Sequence, residues 1–235
     1  LLGVAPVKDA AAPYANPLVF LFMGGFVIAL AMERWNLHTR IALSILQRTG
    51  DRMDYLILGF MAATAFLSMW VSNTATTLMM LPIAISVTSL LGAKTETGGR
   101  GFAAALLLSV AYGASIGGMG TLVGTPPNAF LAGFMLQTYK ISIGFGEWML
   151  IGVPLAIVML AVVWWIATRV VFNLKGHRIE GAQELIAARA GAQGPMARGE
   201  ALTAVLFIAT ALLWVFRPLV APLVPGVLLD DTVIA

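Results

Sequence analysis

Residues 148–172 run for 25 positions with a single charged side chain, Arg169. No other feature constrains the fold more. At ~1.5 Å per helical residue such a run crosses a hydrocarbon core of ~30 Å. In hydrocarbon every backbone N–H and C=O must find its partner inside the protein, which only helices and closed barrels achieve. Residues 17–32 make a first span, with Asn16 placed as an N-cap before a proline at the first helical position, and residues 200–215 start another. A soluble domain carries about 25% charged residues, whereas this chain carries 11% and is 60% hydrophobic. The expected fold class is an all-α polytopic membrane protein.

The other apolar runs are interrupted. Residues 55–70 and 76–91 are short, at 16 residues each, or about 24 Å of helix. They are joined by Val71-Ser72-Asn73-Thr74-Ala75, which brings turn and capping chemistry into an apolar stretch. A re-entrant hairpin accounts for both facts; two slightly short full spans also fit. Residues 101–139 are about twice one crossing but are broken by Gly117, Gly118, Gly120 and Gly124, then Thr125-Pro126-Pro127-Asn128. The reading is a half-helix over 101–115, an unwound loop over 116–125, and a second half-helix begun by the prolines. Residues 35–52 are amphipathic, with Ile41, Leu43, Ile45 and Leu46 interleaved among Arg40, Gln47 and Arg48. They suit an interfacial arm with a Trp35 anchor, or equally a connector helix packed on protein. A polar connector covers 173–199, and Asp230-Asp231 precede a last apolar run that is cut off, so the chain reads as a piece of a longer protein.

The sequence pI of 9.5 comes from basic residues that flank apolar runs, which argues for topology rather than nucleic acid. With the open end of the hairpin in the cytoplasm, eleven of the 14 Lys and Arg fall inside, against Lys8, Lys140 and Arg217 outside. That is the positive-inside pattern.

Chemistry is narrowed by what is missing. There is no cysteine, and the two histidines, His38 and His177, lie in connectors and are expected to be solvated. Between Asp54 and Glu147 the one acidic residue is Glu96, in the connector after the hairpin. The hairpin and broken helix therefore offer no acid–base pair, no activated nucleophile and no carboxylate cage. They offer hydroxyls, an amide, open backbone and helix ends. Ser68 lies one turn before Ser72, which would let both hydroxyls face one side. Helix N-termini at the tip and at Pro126 favour an anion, and unwound carbonyls at 120–125 favour a small cation. Each feature has a plainer reading. A glycine-rich stretch is also a helix-packing face, and Ser-Asn-Thr is also an ordinary cap. Gly118-Met119-Gly120-Thr121-Leu122-Val123-Gly124 is neither a P-loop nor a dinucleotide fingerprint. Trp35, Trp148, Trp164 and Trp165 read as interfacial anchors.

The run Leu67-Ser68-Met69-Trp70-Val71-Ser72-Asn73-Thr74-Ala75-Thr76-Thr77, followed by Met80-Leu81-Pro82-Ile83, resembles the first Ser-Asn-Thr hairpin of the divalent anion–sodium symporters, the DASS family. Ala114-Ser115-Ile116-Gly117-Gly118 through Gly124-Thr125-Pro126-Pro127-Asn128 resembles that family's broken helix, and residues 20–26 and Glu33-Arg34-Trp35 are also typical of it. The resemblance implies an inverted-repeat secondary transporter, not an enzyme, with a re-entrant helical hairpin and a broken transmembrane helix. By the same resemblance it is a homodimer with an elevator-like transport domain. On this reading 1–54 are a scaffold helix and arm, 55–91 the hairpin, 92–139 the broken helix, 140–199 a span and connector, and 200–235 the start of a second repeat. By carry-over, Ser72, Asn73 and Thr74 bind a substrate carboxylate. Ser68, Ser72, Asn73, Gly124 and Asn128 form a sodium site, with Gly120 and Thr125 as less secure neighbours.

The family carries two such hairpins and two such broken helices, and this chain has one of each. The expectation is the N-terminal half of a sodium-coupled carrier of succinate, malate or fumarate in a bacterial inner membrane. Its partners are a small dianion, sodium and the lipid bilayer, with no nucleic acid and no cofactor beyond the coupling ion. A sulfate or other oxyanion carrier, and a non-transporting membrane scaffold, are the alternatives.

Overall fold

The computed structural model describes residue 6 and residues 17–90, 98–223 and 229–235, the side chains of 98–100 apart. The Asn16 cap, Lys8, and the connector with Lys94 and Glu96 lie outside the described residues, as does the side chain of Arg100. Ten α-helices follow in order among the described residues: α1 (Pro17–Arg34), α2 (Leu37–Leu46), α3 (Met53–Ser68), α4 (Asn73–Ser89), α5 (Gly98–Gly118), α6 (Pro126–Phe134), α7 (Phe145–Trp165), α8 (Ala182–Gly191), α9 (Arg198–Val220) and α10 (Asp231–Ile234). Helix α6 runs into a wide turn over Met135–Tyr139, and α7 into another over Ile166–Val171. The extended pairing among these residues is an isolated bridge between Arg52 and Arg178.

Among the described residues four helical stretches are long and apolar enough to cross a membrane: Pro17–Arg34, Gly101–Gly118, Phe145–Val171 and Arg198–Leu223. Helices α7 and α9 turn apolar side chains outward, with Leu150 and Ile151 more than 70% exposed. In water such a face is a liability; against acyl chains it is matched to its solvent. Helices α3 and α4 are shorter, at 16 and 17 residues.

The main core is built where α3 packs on α5 and where α2 and α4 close over them, with Leu46, Phe60, Leu67, Val87 and Phe102 all fully buried. The approach of α3 to α5 depends on residues without side chains. A Cβ on Gly113 would sit 2.9 Å from the Met61 carbonyl, and one on Gly117 would sit 2.2 Å from that of Ala65. For these two glycines, one helical turn apart, the packing-face reading holds. A smaller cluster packs Leu122 and Val123 of the loop that follows α5 with Leu21, Phe145 and Trp214. An aromatic column rises through it, Trp70 on Phe145 at 6.1 Å and Phe145 on Trp214 at 4.5 Å, and anchors the turn between α3 and α4.

Several expectations are corrected. The arm helix covers 37–46 rather than 35–52, and its inner face of Leu37, Ala42, Leu43 and Leu46 packs on protein, against α3 and α8. That packing buries His38, expected to be solvated, and its Nδ1 lies 3.1 Å from the Met32 carbonyl; His177 is exposed. Two of the four tryptophans serve as internal hydrogen-bond donors rather than free anchors. Trp148 Nε1 donates to the Met119 carbonyl at 3.0 Å and Trp164 Nε1 to that of Asp54 at 2.8 Å. Trp35 and Trp165 are exposed.

Candidate functional site: the hairpin tip and the broken-helix loop

Helix α3 ends at Ser68 and α4 begins at Asn73, three residues before the apolar run that starts at 76, so a tip of four residues (69–72) joins them. Ser72 caps α4: its backbone is extended, and its hydroxyl accepts the Ala75 N–H at 3.3 Å. That role turns it away from Ser68. Ser68 is fully buried while Ser72 is exposed, so the two hydroxyls do not share a side. The buried hydroxyl instead meets the first residue of α4, Ser68 Oγ donating to Asn73 Oδ1 at 2.6 Å.

Helix α5 continues to Gly118, three residues beyond the expected break, because Gly113 and Gly117 hold it against α3 to its end. The unwound loop is 119–125. Thr125 closes it in an extended conformation, φ −147° and ψ 140°, as a residue before proline must. Asn128, buried in the first turn of α6, uses its amide to hold the loop: Nδ2 donates to the Gly118 carbonyl at 2.9 Å and to the Thr121 carbonyl at 2.7 Å.

Tip and loop meet at Gly124. A Cβ there would lie 2.5 Å from the Gly118 carbonyl oxygen and 3.0 Å from that of Ser68. A Cβ on Gly118 would lie 2.4 Å from Asn73 Oδ1. The absence of side chains at 118 and 124 thus lets Ser68 O, Ser68 Oγ, Asn73 Oδ1 and Gly118 O approach one another. These are neutral oxygens of the kind that coordinate hard cations. None of the residues that form this cluster is titratable, and among the described residues no group of three or more His, Cys, Asp or Glu could hold a metal ion.

Of the residues singled out from sequence, the structure brings Ser68, Asn73 and Gly124 together, with Asn128 one hydrogen bond away. Ser72 and Thr74 lie on the exposed side of the tip. Gly120 meets the tip at the Met69 side chain rather than at the oxygens, and its carbonyl and that of Met119 lie against Gly152 of α7. Thr125 is half-buried and makes no side-chain cap. The two helix N-termini are also unequal. Pro126 and Pro127 have no N–H, and the Asn128 N–H already goes to the Thr125 carbonyl at 3.1 Å. The start of α6 therefore contributes a dipole without donors, while the start of α4 keeps both.

Two participants were missed in the sequence. Gly118 supplies a carbonyl, and Thr121 supplies a fully buried hydroxyl that donates to the Met69 carbonyl and accepts the Gly124 N–H at 3.1 Å. A hydroxyl in the apolar, glycine-rich interior of the loop was the available signal for Thr121. Gly118 had none, because its role follows from how closely α5 approaches Asn73.

Fold and site together define a multi-pass plasma-membrane protein in which an interrupted helix meets a hairpin tip. A family model described as "Citrate transporter" (CitMHS) matches residues 1–230, and the chain belongs to that family of transporters. The sodium-dependent dicarboxylate transporters SdcS of Staphylococcus aureus strains USA300 and NCTC 8325 are each 40% identical to it over 215 residues, which is 89% of this chain and 41% of theirs. The chain thus spans about two-fifths of the length of the curated relatives it matches.

Proposed function

We propose that this chain carries one half of the transport machinery of a sodium-coupled dicarboxylate symporter. The observation that carries the reading is the meeting of Ser68, Asn73 and Gly118 oxygens at Gly124, where a helical hairpin touches a broken helix. Such a cluster offers a hard cation neutral ligands and leaves the positive end of α4 beside it for an anion. In this reading Ser68, Asn73 and Gly124 form the sodium site, and Asn128 holds the Gly118 and Thr121 carbonyls in place. Gly120 and Thr125 neighbour that sodium site, and Ser72, Asn73 and Thr74 take one substrate carboxylate. Sodium raises anion affinity and the anion raises sodium affinity by the same factor, because linkage is reciprocal.

The names of the relatives support sodium and dicarboxylates as partners. Further parts of the reading are the re-entrant course of α3 and α4, an inverted repeat, elevator-like motion, a homodimer and a bacterial inner membrane. So is the division into scaffold (1–54), hairpin (55–91), broken helix (92–139), span with connector (140–199) and start of a second repeat (200–235). The short length of α3 and α4 favours re-entry.

The test is uptake into proteoliposomes by the full-length protein, with succinate, citrate or sulfate offered with and without an inward sodium gradient, alongside Asn73→Ala. Sodium-driven succinate uptake that Asn73→Ala abolishes is the expected result. Uptake of citrate or sulfate in place of succinate changes the substrate and keeps the site; uptake indifferent to sodium removes the cation role.

A further inference from the structure

We infer that Thr121 is a positioning residue that locks the hairpin tip to the broken-helix loop and thereby sets sodium affinity; the inference rests on the symporter reading above. The Thr121 side chain is fully buried, and its hydroxyl is used in both directions. It donates to the carbonyl of Met69, 52 residues away in sequence, and accepts the N–H of Gly124 at 3.1 Å. One hydroxyl can serve as donor and acceptor at once, so the three groups form a chain: Gly124 N–H, Thr121 O–H, Met69 C=O.

The ends of that chain matter more than its middle. Met69 follows Ser68, and Gly124 is the residue against which the Ser68 and Gly118 carbonyls converge. The hydroxyl therefore spans the same gap as the oxygen cluster, with one partner on the tip side and one on the loop side. A second tie reinforces the loop side, where Asn128 Nδ2 donates to the Thr121 carbonyl at 2.7 Å. Removing the hydroxyl leaves the buried Gly124 N–H without its partner and frees the carbonyl of the half-buried Met69 from its tie to the loop, and the N–H has no water to replace the bond cheaply. The two sides then relax apart, and the oxygens lose the spacing that a cation needs. Thr121 touches no ligand itself in this account.

Valine has the shape of threonine without the hydroxyl, and serine has the hydroxyl without the methyl group. The experiment is sodium titration of substrate uptake by the full-length protein, comparing wild type with Thr121→Val and Thr121→Ser. A parallel measurement follows the sodium concentration that half-protects each purified protein against thermal unfolding. The expected result for Thr121→Val is a rise of roughly ten-fold in half-saturating sodium, with the maximal rate at saturating sodium within about two-fold of wild type. Thr121→Ser keeps half-saturation near wild type. A purely structural role would lower the amount of protein and leave half-saturation where it was. Should Thr121→Val fail to accumulate, Thr121→Ala against Thr121→Ser makes the same comparison. Wild-type uptake indifferent to sodium overturns both readings together, whereas a sodium-dependent wild type whose half-saturation the hydroxyl-free variant leaves unmoved overturns the positioning role alone.

Discussion

The hydroxyl of Ser68, the last residue of α3, donates to the side-chain oxygen of Asn73, the first residue of α4, at 2.6 Å. The two helices of the hairpin are thereby joined side chain to side chain at their tip, next to the end of α5. Because the Ser68 proton is committed to Asn73, both oxygens keep lone pairs for a further partner. The same contact makes the tip a single unit rather than a loop with two polar residues on it.

Removing either member has unequal consequences. Ser68→Ala takes away one ligand oxygen and frees the Asn73 amide to rotate, so half-saturating sodium should rise about ten-fold while uptake persists at high sodium. Asn73→Ala removes the oxygen that faces Gly118 as well as the partner of Ser68, and uptake should be lost. Sodium titration of uptake separates the two. Equal effects, or uptake unaffected by Asn73→Ala, would show that the pair holds the tip together without binding anything.

Neighbouring glycines provide a sharper contrast. A Cβ on Gly117 meets helix backbone, the Ala65 carbonyl oxygen at 2.2 Å, whereas a Cβ on Gly118 meets the side-chain oxygen of Asn73 at 2.4 Å. Backbone cannot move without displacing α3, so Gly117→Ala should cost about 1–3 kcal/mol of stability and leave the sodium response of the surviving protein unchanged. A side chain can move, so Gly118→Ala should cost less stability and shift half-saturating sodium upward. Thermal unfolding and sodium-dependent uptake of both variants test this, and the reverse order would exchange the roles assigned to the two residues.

These two glycines also show how much of the site could be read in the sequence. Strong local signals were legible: the Ser72-Asn73-Thr74 cap, the glycine cluster and the Pro126-Pro127 pair each act on their own backbone and punctuate helices wherever they stand. The hairpin turn, the break and the spans follow from them, with most boundaries shifted by two or three residues and the end of α9 by five. What escaped was set by distant approach. Gly117 and Gly118 look alike in sequence and differ in the structure because one faces α3 and the other faces Asn73. Thr121 owes its role to a carbonyl 52 positions away, and His38 is buried because α2 lies on α3. Pro126 and Pro127 were read correctly as a helix start, yet the missing N–H of each removes the donors that a start would otherwise provide.

An ion pair ties the arm to the connector side of α9 and should respond asymmetrically. Arg40 Nε and Nη2 donate to the two carboxylate oxygens of Glu200, the latter at 3.1 Å, and Arg40 also reaches the Gly194 carbonyl at 3.2 Å. The Glu200 side chain is 7% exposed and that of Arg40 26%. Removing Arg40 leaves a buried carboxylate with the Ala197 N–H as its remaining partner, at 3.3 Å, and should cost about 2 kcal/mol, discounted for the solvent that reaches the arginine. Glu200→Gln leaves a solvated guanidinium beside a neutral amide and should cost about 1 kcal/mol. Chemical unfolding of Arg40→Ala, Glu200→Gln and the double variant decides it: the order should hold, and the double variant should cost less than the sum of the two.

Thr76 presents the opposite case, a buried hydroxyl with nothing to lose. Its side chain is fully buried one turn into α4, and among the described residues its Oγ1 has no hydrogen-bond partner. A hydroxyl taken out of water without a partner is a cost of folding. Thr76→Val keeps the shape and discards the group, so it should leave stability unchanged or raise it by about 1 kcal/mol. The β-branched side chain suits the helix equally well in either form. Thermal unfolding of the full-length protein, with sodium absent and then saturating, reads the outcome. Equal stabilisation by sodium in wild type and Thr76→Val is expected from a hydroxyl that no ligand uses. If sodium or substrate protected the wild type and not the variant, the hydroxyl would be a ligand, and the oxygens at Gly124 would not be the whole of the cation site on this chain.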